Sequence, residues 1–216
     1  MVDAAYYRED IDQTYFFGGT RYARIQFTPS SPDEKITVGP TKIARNWPGL
    51  ANVGFTTVDA VLPHPTAAGE AYFFFGGRYV RYKVPDDRII YGPHPIFETW
   101  KCLEKAGFDT VDAAFAVPGV ANEAYVFRGT KYVRIHVLND SVVFGPVNIT
   151  GNWPGLTQAG FDSVDTALAV QKRDDGETYF FKGDQYVKMK VVAGAPDTIV
   201  WGPKPIEEAW KTLEWV

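Results

Sequence analysis

Apolar residues along this chain gather into four dense blocks separated by polar stretches containing proline and glycine. The blocks read "YFFGGTRYARI" from Tyr15, "YFFFGGRYVRY" from Tyr72, "YVFRGTKYVRI" from Tyr125 and "YFFKGDQYVKM" from Tyr179. Each splits into two runs rich in aromatic and β-branched residues, which suit a pleated, half-buried surface. The runs flank Gly19, Gly76, Gly129 or Gly183, and glycine supplies the positive φ of a tight hairpin turn. Each block therefore predicts strand, turn, strand. A further run before each Gly-Pro pair, such as "TIVWGP" from Thr198, predicts another strand, which the proline is expected to stop. Segments such as "PIFETW" from Pro95 and "PIEEAWKTL" from Pro205 place helix formers behind a proline and predict a short helix.

The blocks belong to a longer repeat. "GFTTVDAVL" from Gly54, "GFDTVDAAF" from Gly107 and "GFDSVDTAL" from Gly160 share a Val-Asp pair with "VDAAYY" from Val2. Anchoring on Val2, Val58, Val111 and Val164 gives units 2–57, 58–110, 111–163 and 164–216. A period of about fifty residues points to arrays or propellers. No linker separates the units, and a unit of this size buries little core alone, so residues 2–216 read as one domain. Each unit adds a short Val-Asp strand to the hairpin and the run before Gly-Pro, and a tryptophan follows: Trp47, Trp100, Trp153 or Trp210. Four strands per unit in four units predict an all-β, four-bladed β-propeller with a short helix after each blade.

Charge and composition narrow the function classes. The net charge of −4 argues against a general nucleic-acid binder. No apolar run is long enough to span a membrane, and the chain enters its first repeat at Val2, with no signal peptide visible. Cys102 is the single cysteine, so no intramolecular disulfide forms, which fits a reducing compartment. A cytoplasmic or storage location is expected. Secretion stays open, and with it the relevance of the sequons at Asn139 and Asn148.

In a propeller the first strand of each blade lines the central tunnel, and its inner edge pairs with no other strand. Four equivalent main-chain carbonyls, those of Asp3, Asp59, Asp112 and Asp165, would then surround the axis and suit a hard cation, Ca²⁺ or Na⁺. The small residues that follow, Ala4, Ala60, Ala113 and Thr166, keep a narrow tunnel open. Ligation by the four carboxylates themselves is the competing arrangement, but converging like charges oppose one another's ionisation. A third reading makes Val-Asp-Ala only a strand start with a capping carboxylate.

The repeated "VDAA", Tyr-x-Phe-x-Gly-x-x-Tyr and Gly-Pro motifs, four times in register, resemble hemopexin-like repeats over essentially the whole chain. The resemblance implies the four-bladed hemopexin fold and a tunnel holding cations, in some members with an anion. It carries metal contacts to Asp3, Asp59, Asp112 and Asp165, with a second ion ring at Ala4, Ala60, Ala113 and Thr166. Many animal members close the ring with a disulfide. This chain has none to offer, and its terminal "LEWV" (Leu213, Trp215, Val216) is expected to act as an apolar clasp.

No motif of a nucleophilic hydrolase, a zinc hydrolase, a phosphate-binding loop or a dithiol pair is present, so a non-enzymatic protein is expected. His64, His94 and His136 occupy unrelated repeat positions, which disfavours a haem ligand. Arg24, Arg81, Arg134 and Lys188 read as solvated or inter-blade ion pairs, and the four repeat tryptophans as core. Single-domain hemopexin-like proteins resemble two groups, legume seed albumins that bind polyamines or haem and fungal lectins that bind glycans. Glycan recognition is the favoured expectation. Polyamine or haem binding and a protein-docking module are the alternatives, a homodimer stays open, and the ligand-binding residues are unassigned.

Overall fold

The computed structural model describes residues 1–31, 33–169 and 176–216. Four antiparallel sheets, each of four strands in sequence order, form the four blades of a propeller. Blade 1 comprises β1 (Ala4–Arg8), β2 (Gln13–Gly18), β3 (Arg21–Phe27) and β4 (Glu34–Lys42). Blade 2 comprises β5 (Ala60–Pro63), β6 (Glu70–Phe75), β7 (Arg78–Lys83) and β8 (Arg88–Pro95). Blade 3 has β9 (Ala113–Ala116), β10 (Glu123–Arg128), β11 (Lys131–His136) and β12 (Ser141–Asn148). Blade 4 has β13 (Thr166–Ala169), β14 (Glu177–Lys182), β15 (Gln185–Lys190) and β16 (Thr198–Pro205). The innermost strands β1, β5, β9 and β13 adjoin one another in a closed cycle around the axis.

The aromatic hairpins form where expected, and the turn glycines Gly19, Gly76, Gly129 and Gly183 all have positive φ. Alternation along the hairpin strands sends residues to opposite blade faces. Phe17, Tyr15 and Tyr6 of blade 1 meet Phe73 and Tyr82 of blade 2, while Phe16 of the same strand meets Phe181 and Trp210 of blade 4. Equivalent clusters join blade 2 to blade 3 and blade 3 to blade 4. The hydrophobic core is thus four inter-blade seams, in which each unit buries its faces against its neighbours.

One detail differs from the sequence expectation. The outer strands run through their Gly-Pro pairs rather than stopping, as in Thr198–Pro205. The outer strand has no further neighbour to receive an N–H, so proline is tolerated there, and the ladder absorbs it by shifting register beside each pair. Pro95 and Pro205 accordingly end strands and stand at the N-cap of the short helices that follow them.

The helices come in pairs after blades 1 and 2: α1 (Ile43–Asn46) with α2 (Pro48–Ala51), and α3 (Ile96–Thr99) with α4 (Lys101–Ala106). Blade 3 has only α5 (Pro154–Gln158), because Gly151 at φ 87° leaves Ile149–Asn152 as a turn. Blade 4 ends with α6 (Ile206–Ala209) and a 3₁₀ turn, Lys211–Leu213. The clasp residues Leu213, Trp215 and Val216 pack into the seam between blades 4 and 1. Arg21 of blade 1 lies over the Trp215 ring, 5.6 Å from its centre.

Candidate functional site

Each repeated aspartate stands one residue before its innermost strand. Its N–H donates to a phenylalanine carbonyl of the second strand: Asp3 to Phe17, Asp59 to Phe74, Asp112 to Phe127 and Asp165 to Phe181, at 2.9–3.0 Å. Its carboxylate Oδ2 accepts the N–H of the hairpin-turn glycine at 2.6 Å, from Gly19, Gly76, Gly129 and Gly183 in turn. The carboxylate thus ties the start of the first strand to the turn of its own blade. Among the described residues no three His, Cys, Asp or Glu side chains are gathered for a metal ion. Burial raises the carboxyls of Asp3, Asp59 and Asp112 above their ordinary value; the glycine N–H draws each back, and neighbouring aspartates add to the rise.

What remains near the axis is main chain and small side chains. Ala4, Ala60, Ala113 and Thr166 are buried, and among the described residues the inner edges of β1, β5, β9 and β13 carry no partner strand. Farther along the inner strands, beyond the four aspartates, Ala5, Val61, Ala114 and Ala167 help to line a partly open pocket of about 20 Å³. That is room for one water or a small ion. The donor set fits a hard cation held by main-chain oxygen: the strand edges supply oxygens, the side chains are small, and one oxygen of each carboxylate is already engaged.

The blade seams hold a second repeated device. An acid at or just before each outer strand reaches across to the first turn of the helix of the preceding blade, and in three of the four seams it accepts an N–H there. Asp87 accepts a hydrogen bond from the Tyr82 hydroxyl and lies beside Gly49 of α2, whose N–H draws its carboxyl down against the rise from burial. Asp140 takes those of Lys101 at 2.7 Å and Cys102 at 2.9 Å in α4. Asp197 takes that of Gly155 in α5 at 2.8 Å. Glu34 closes the cycle by accepting the N–H and the hydroxyl of Thr212, both at 2.9 Å.

The residue preceding each of these helical turns is Trp47, Trp100, Trp153 or Trp210, which caps nothing with its side chain. The first N–H groups of a helix need acceptors, and here the next blade supplies them. Gly49 and Gly155 permit the approach, since a Cβ on Gly155 would lie 2.6 Å from the Asp197 carboxylate.

Arg81, Arg134 and Lys188 pair with Glu70, Glu123 and Glu177 on the adjoining strand of the same blade, not across a seam. Arg24 meets Thr37, which bonds Gln13 in the corresponding place. His64 and His136 accept main-chain N–H groups of their own loops through Nδ1, and His94 lies against Tyr91. The three do not converge on a common centre among the described residues. The repeat tryptophans are buried, as expected.

A family model described as Hemopexin matches residues 2–52, 111–158 and 169–214. Albumin-2 of Lathyrus sativus is 28% identical over 220 residues, spanning 99% of this chain and 96% of that protein. A plant lectin with two metal-binding sites from Cicer arietinum superposes with a TM-score of 0.90 at 25% identity, covering 100% of this chain and 99% of the other. A plant albumin from Cicer arietinum described as showing hemagglutination gives a TM-score of 0.90 at 26% identity, with 99% and 96% covered.

Proposed function

The chain belongs to the hemopexin family, and from that premise we propose that it is a non-enzymatic, lectin-like binding protein whose tunnel holds Ca²⁺ or Na⁺. The observation that carries the tunnel assignment is the engagement of all four repeat carboxylates by their hairpin glycines. With the side chains turned to the hairpins, the main-chain oxygens of Asp3, Asp59, Asp112 and Asp165 are the groups that would hold the ion. A second ion, or an anion, would sit at the level of Ala4, Ala60, Ala113 and Thr166. The bound ion supplies no chemistry on a substrate. It draws together four strand edges that share no ladder, and it offsets the mutual repulsion of four half-buried aspartates.

Glycan recognition is supported by the similarity to a lectin and to an albumin that shows hemagglutination. It is also supported by the exposed aromatic residues Tyr91, Phe144 and Trp201 on the outer strands. Aromatic faces beside polar groups are what sugar rings stack on. Binding of the labelled protein to a glycan array, with haem and spermine titrations in parallel, tests this reading. Saccharide binding supports it. Tight haem or spermine binding with no saccharide binding would replace it with the seed-albumin alternative.

A further inference from the structure

The residue before each Gly-Pro is Val38, Tyr91, Phe144 or Trp201. It is exposed in blades 2, 3 and 4, preceded there by exposed Ile90, Val143 and Val200. Trp201 stands apart from the others. At 56% exposed it contrasts with the buried Trp47, Trp100, Trp153 and Trp210, yet its indole is fixed, because Nε1 donates to the Tyr186 hydroxyl at 3.1 Å. It also borders a cleft of about 500 Å³ at the seam where blade 4 meets blade 1. The corresponding cleft beside Phe144 is about half that size, near 240 Å³. The larger volume lies within the range of small-molecule sites.

The cleft's chemistry is mixed in a particular way. Tyr186, Trp201 and Trp210 from blade 4 and Phe27 from blade 1 supply aromatic wall. Lys188 lies inside with its side chain almost wholly buried, paired with Glu177 at 3.0 Å and donating to the Ser30 hydroxyl. Its charge is therefore balanced within the protein. The polar edge includes the carboxylates of Glu34 and Glu208, the latter 4.0 Å from the Lys204 ammonium, and the hydroxyls of Thr28, Ser30 and Ser31. Glu34 also receives Thr212, which holds it in place.

A phosphate-bearing ligand would be repelled by those carboxylates, and a polyamine, though drawn to them, carries no ring face to lie on the Trp201 indole. Among the described residues no histidine lines the cleft to ligate a haem iron. A neutral ring with one C–H face and a rim of hydroxyls satisfies every wall. Its flat face lies on the indole, and its hydroxyls donate to Glu34 and Glu208.

We propose that the cleft between blades 4 and 1 is a carbohydrate subsite in which a pyranose stacks on Trp201. The assignment rests on the lectin-like reading above and gives it a place. Desolvated tryptophan anchors dominate binding energy, so Trp201→Ala should weaken saccharide binding at least about tenfold. Trp201→Phe should fall between the two, and Phe144→Ala, at the equivalent exposed position, should stay within about twofold.

The probe is an immobilised array of mono- to tetrasaccharides, read with labelled wild type and each variant after their melting temperatures have been matched. A readout on the wild type alone accompanies it: the strongest array saccharide should protect Trp201 from N-bromosuccinimide oxidation, followed by peptide mass. Binding that is lost in Trp201→Ala, together with protection of Trp201, supports the subsite. Array binding unchanged in Trp201→Ala, or Trp201 oxidised equally with and without saccharide, overturns the subsite while the lectin-like reading stands. A wild type that binds no saccharide on the array overturns both.

Discussion

Removing the acid that Asp140 extends to the neighbouring helix should loosen the seam between blades 2 and 3 by a calculable amount. Both carboxylate oxygens are in use, one on each of the first two N–H groups of α4. Hydrogen bonds to a charged group contribute about 1.5–3 kcal/mol each, which sets an upper bound near 6 kcal/mol for the pair. The carboxylate is only half-buried, so solvent screens part of this. Helix caps lost to alanine cost about 0.5–2 kcal/mol. We take about 2 kcal/mol for the cap itself.

Asp140 also sits at φ 48°, a left-handed conformation, where alanine adds about 1 kcal/mol of strain. The expected order follows. Asp140→Ala should cost about 3 kcal/mol, or roughly 6–12 °C in melting temperature for a chain of this length. Asp140→Gly removes the cap without the strain and should cost about 2 kcal/mol. Asp140→Asn keeps one acceptor and tolerates the backbone, and should cost about 1 kcal/mol.

Urea unfolding gives the three values. A local readout accompanies it, since the Cys102 thiol is buried and its own N–H is one of the anchored pair. Burial is the main reason its pKa is raised, with Asp140 adding to the rise, so the wild-type thiol should react slowly with a disulfide reagent. It should react faster in Asp140→Gly. An Asp140→Gly variant within about 0.5 kcal/mol of wild type, with unchanged thiol reactivity, would refute the capping account.

Three further expectations follow from the same geometry. Chelation of a metal-loaded sample should lower the melting temperature, since an ion at 100 times its dissociation constant adds about 2.7 kcal/mol; an unchanged melting temperature in verified metal-free protein removes the tunnel staple. Asp112→Asn should retain most metal affinity if main-chain oxygens hold the ion, and a large loss measured by calorimetry would return the role to the carboxylate. Burial raises the Asp197 carboxyl above its ordinary value of 3.8, against the pull of the Gly155 N–H. The folded state therefore binds that proton more tightly than the unfolded chain. Its contribution to stability is complete below pH 3.8 and is lost as pH rises through the raised value, so Asp197→Asn should flatten that part of the stability profile. A carbon-13 titration placing Asp197 below 3.8 would contradict this.

The fold was legible because its signals are local and fourfold. A glycine between two aromatic runs specifies a hairpin wherever it occurs, and Val2, Val58, Val111 and Val164 set the register of the blades. The role of the repeated aspartate was half legible. Its recurrence marked a shared position, but the same residue offers a carbonyl and a carboxylate, and only coordinates reveal the carboxylate on Gly19, Gly76, Gly129 and Gly183. The seam acids escaped notice because each serves a helix in a different blade, so no local pattern pairs donor with acceptor. A signal was nevertheless present. Glu34, Asp87, Asp140 and Asp197 all stand at or next to the start of an outer strand, while a tryptophan occupies the cap of each helix that needs an acceptor.

Asking where those helical N–H groups go would have pointed to an acid from outside the unit. The same question explains how the ring closes without a disulfide. Glu34 performs for blades 1 and 4 what Asp140 performs within the ring, and the terminal Trp215 and Val216 add their burial to that one seam. The closing seam also holds Trp201, the exposed tryptophan beside the larger of the two clefts compared. Repetition therefore accounts for the scaffold, whereas the candidate binding site lies where the fourth blade departs from the repeat.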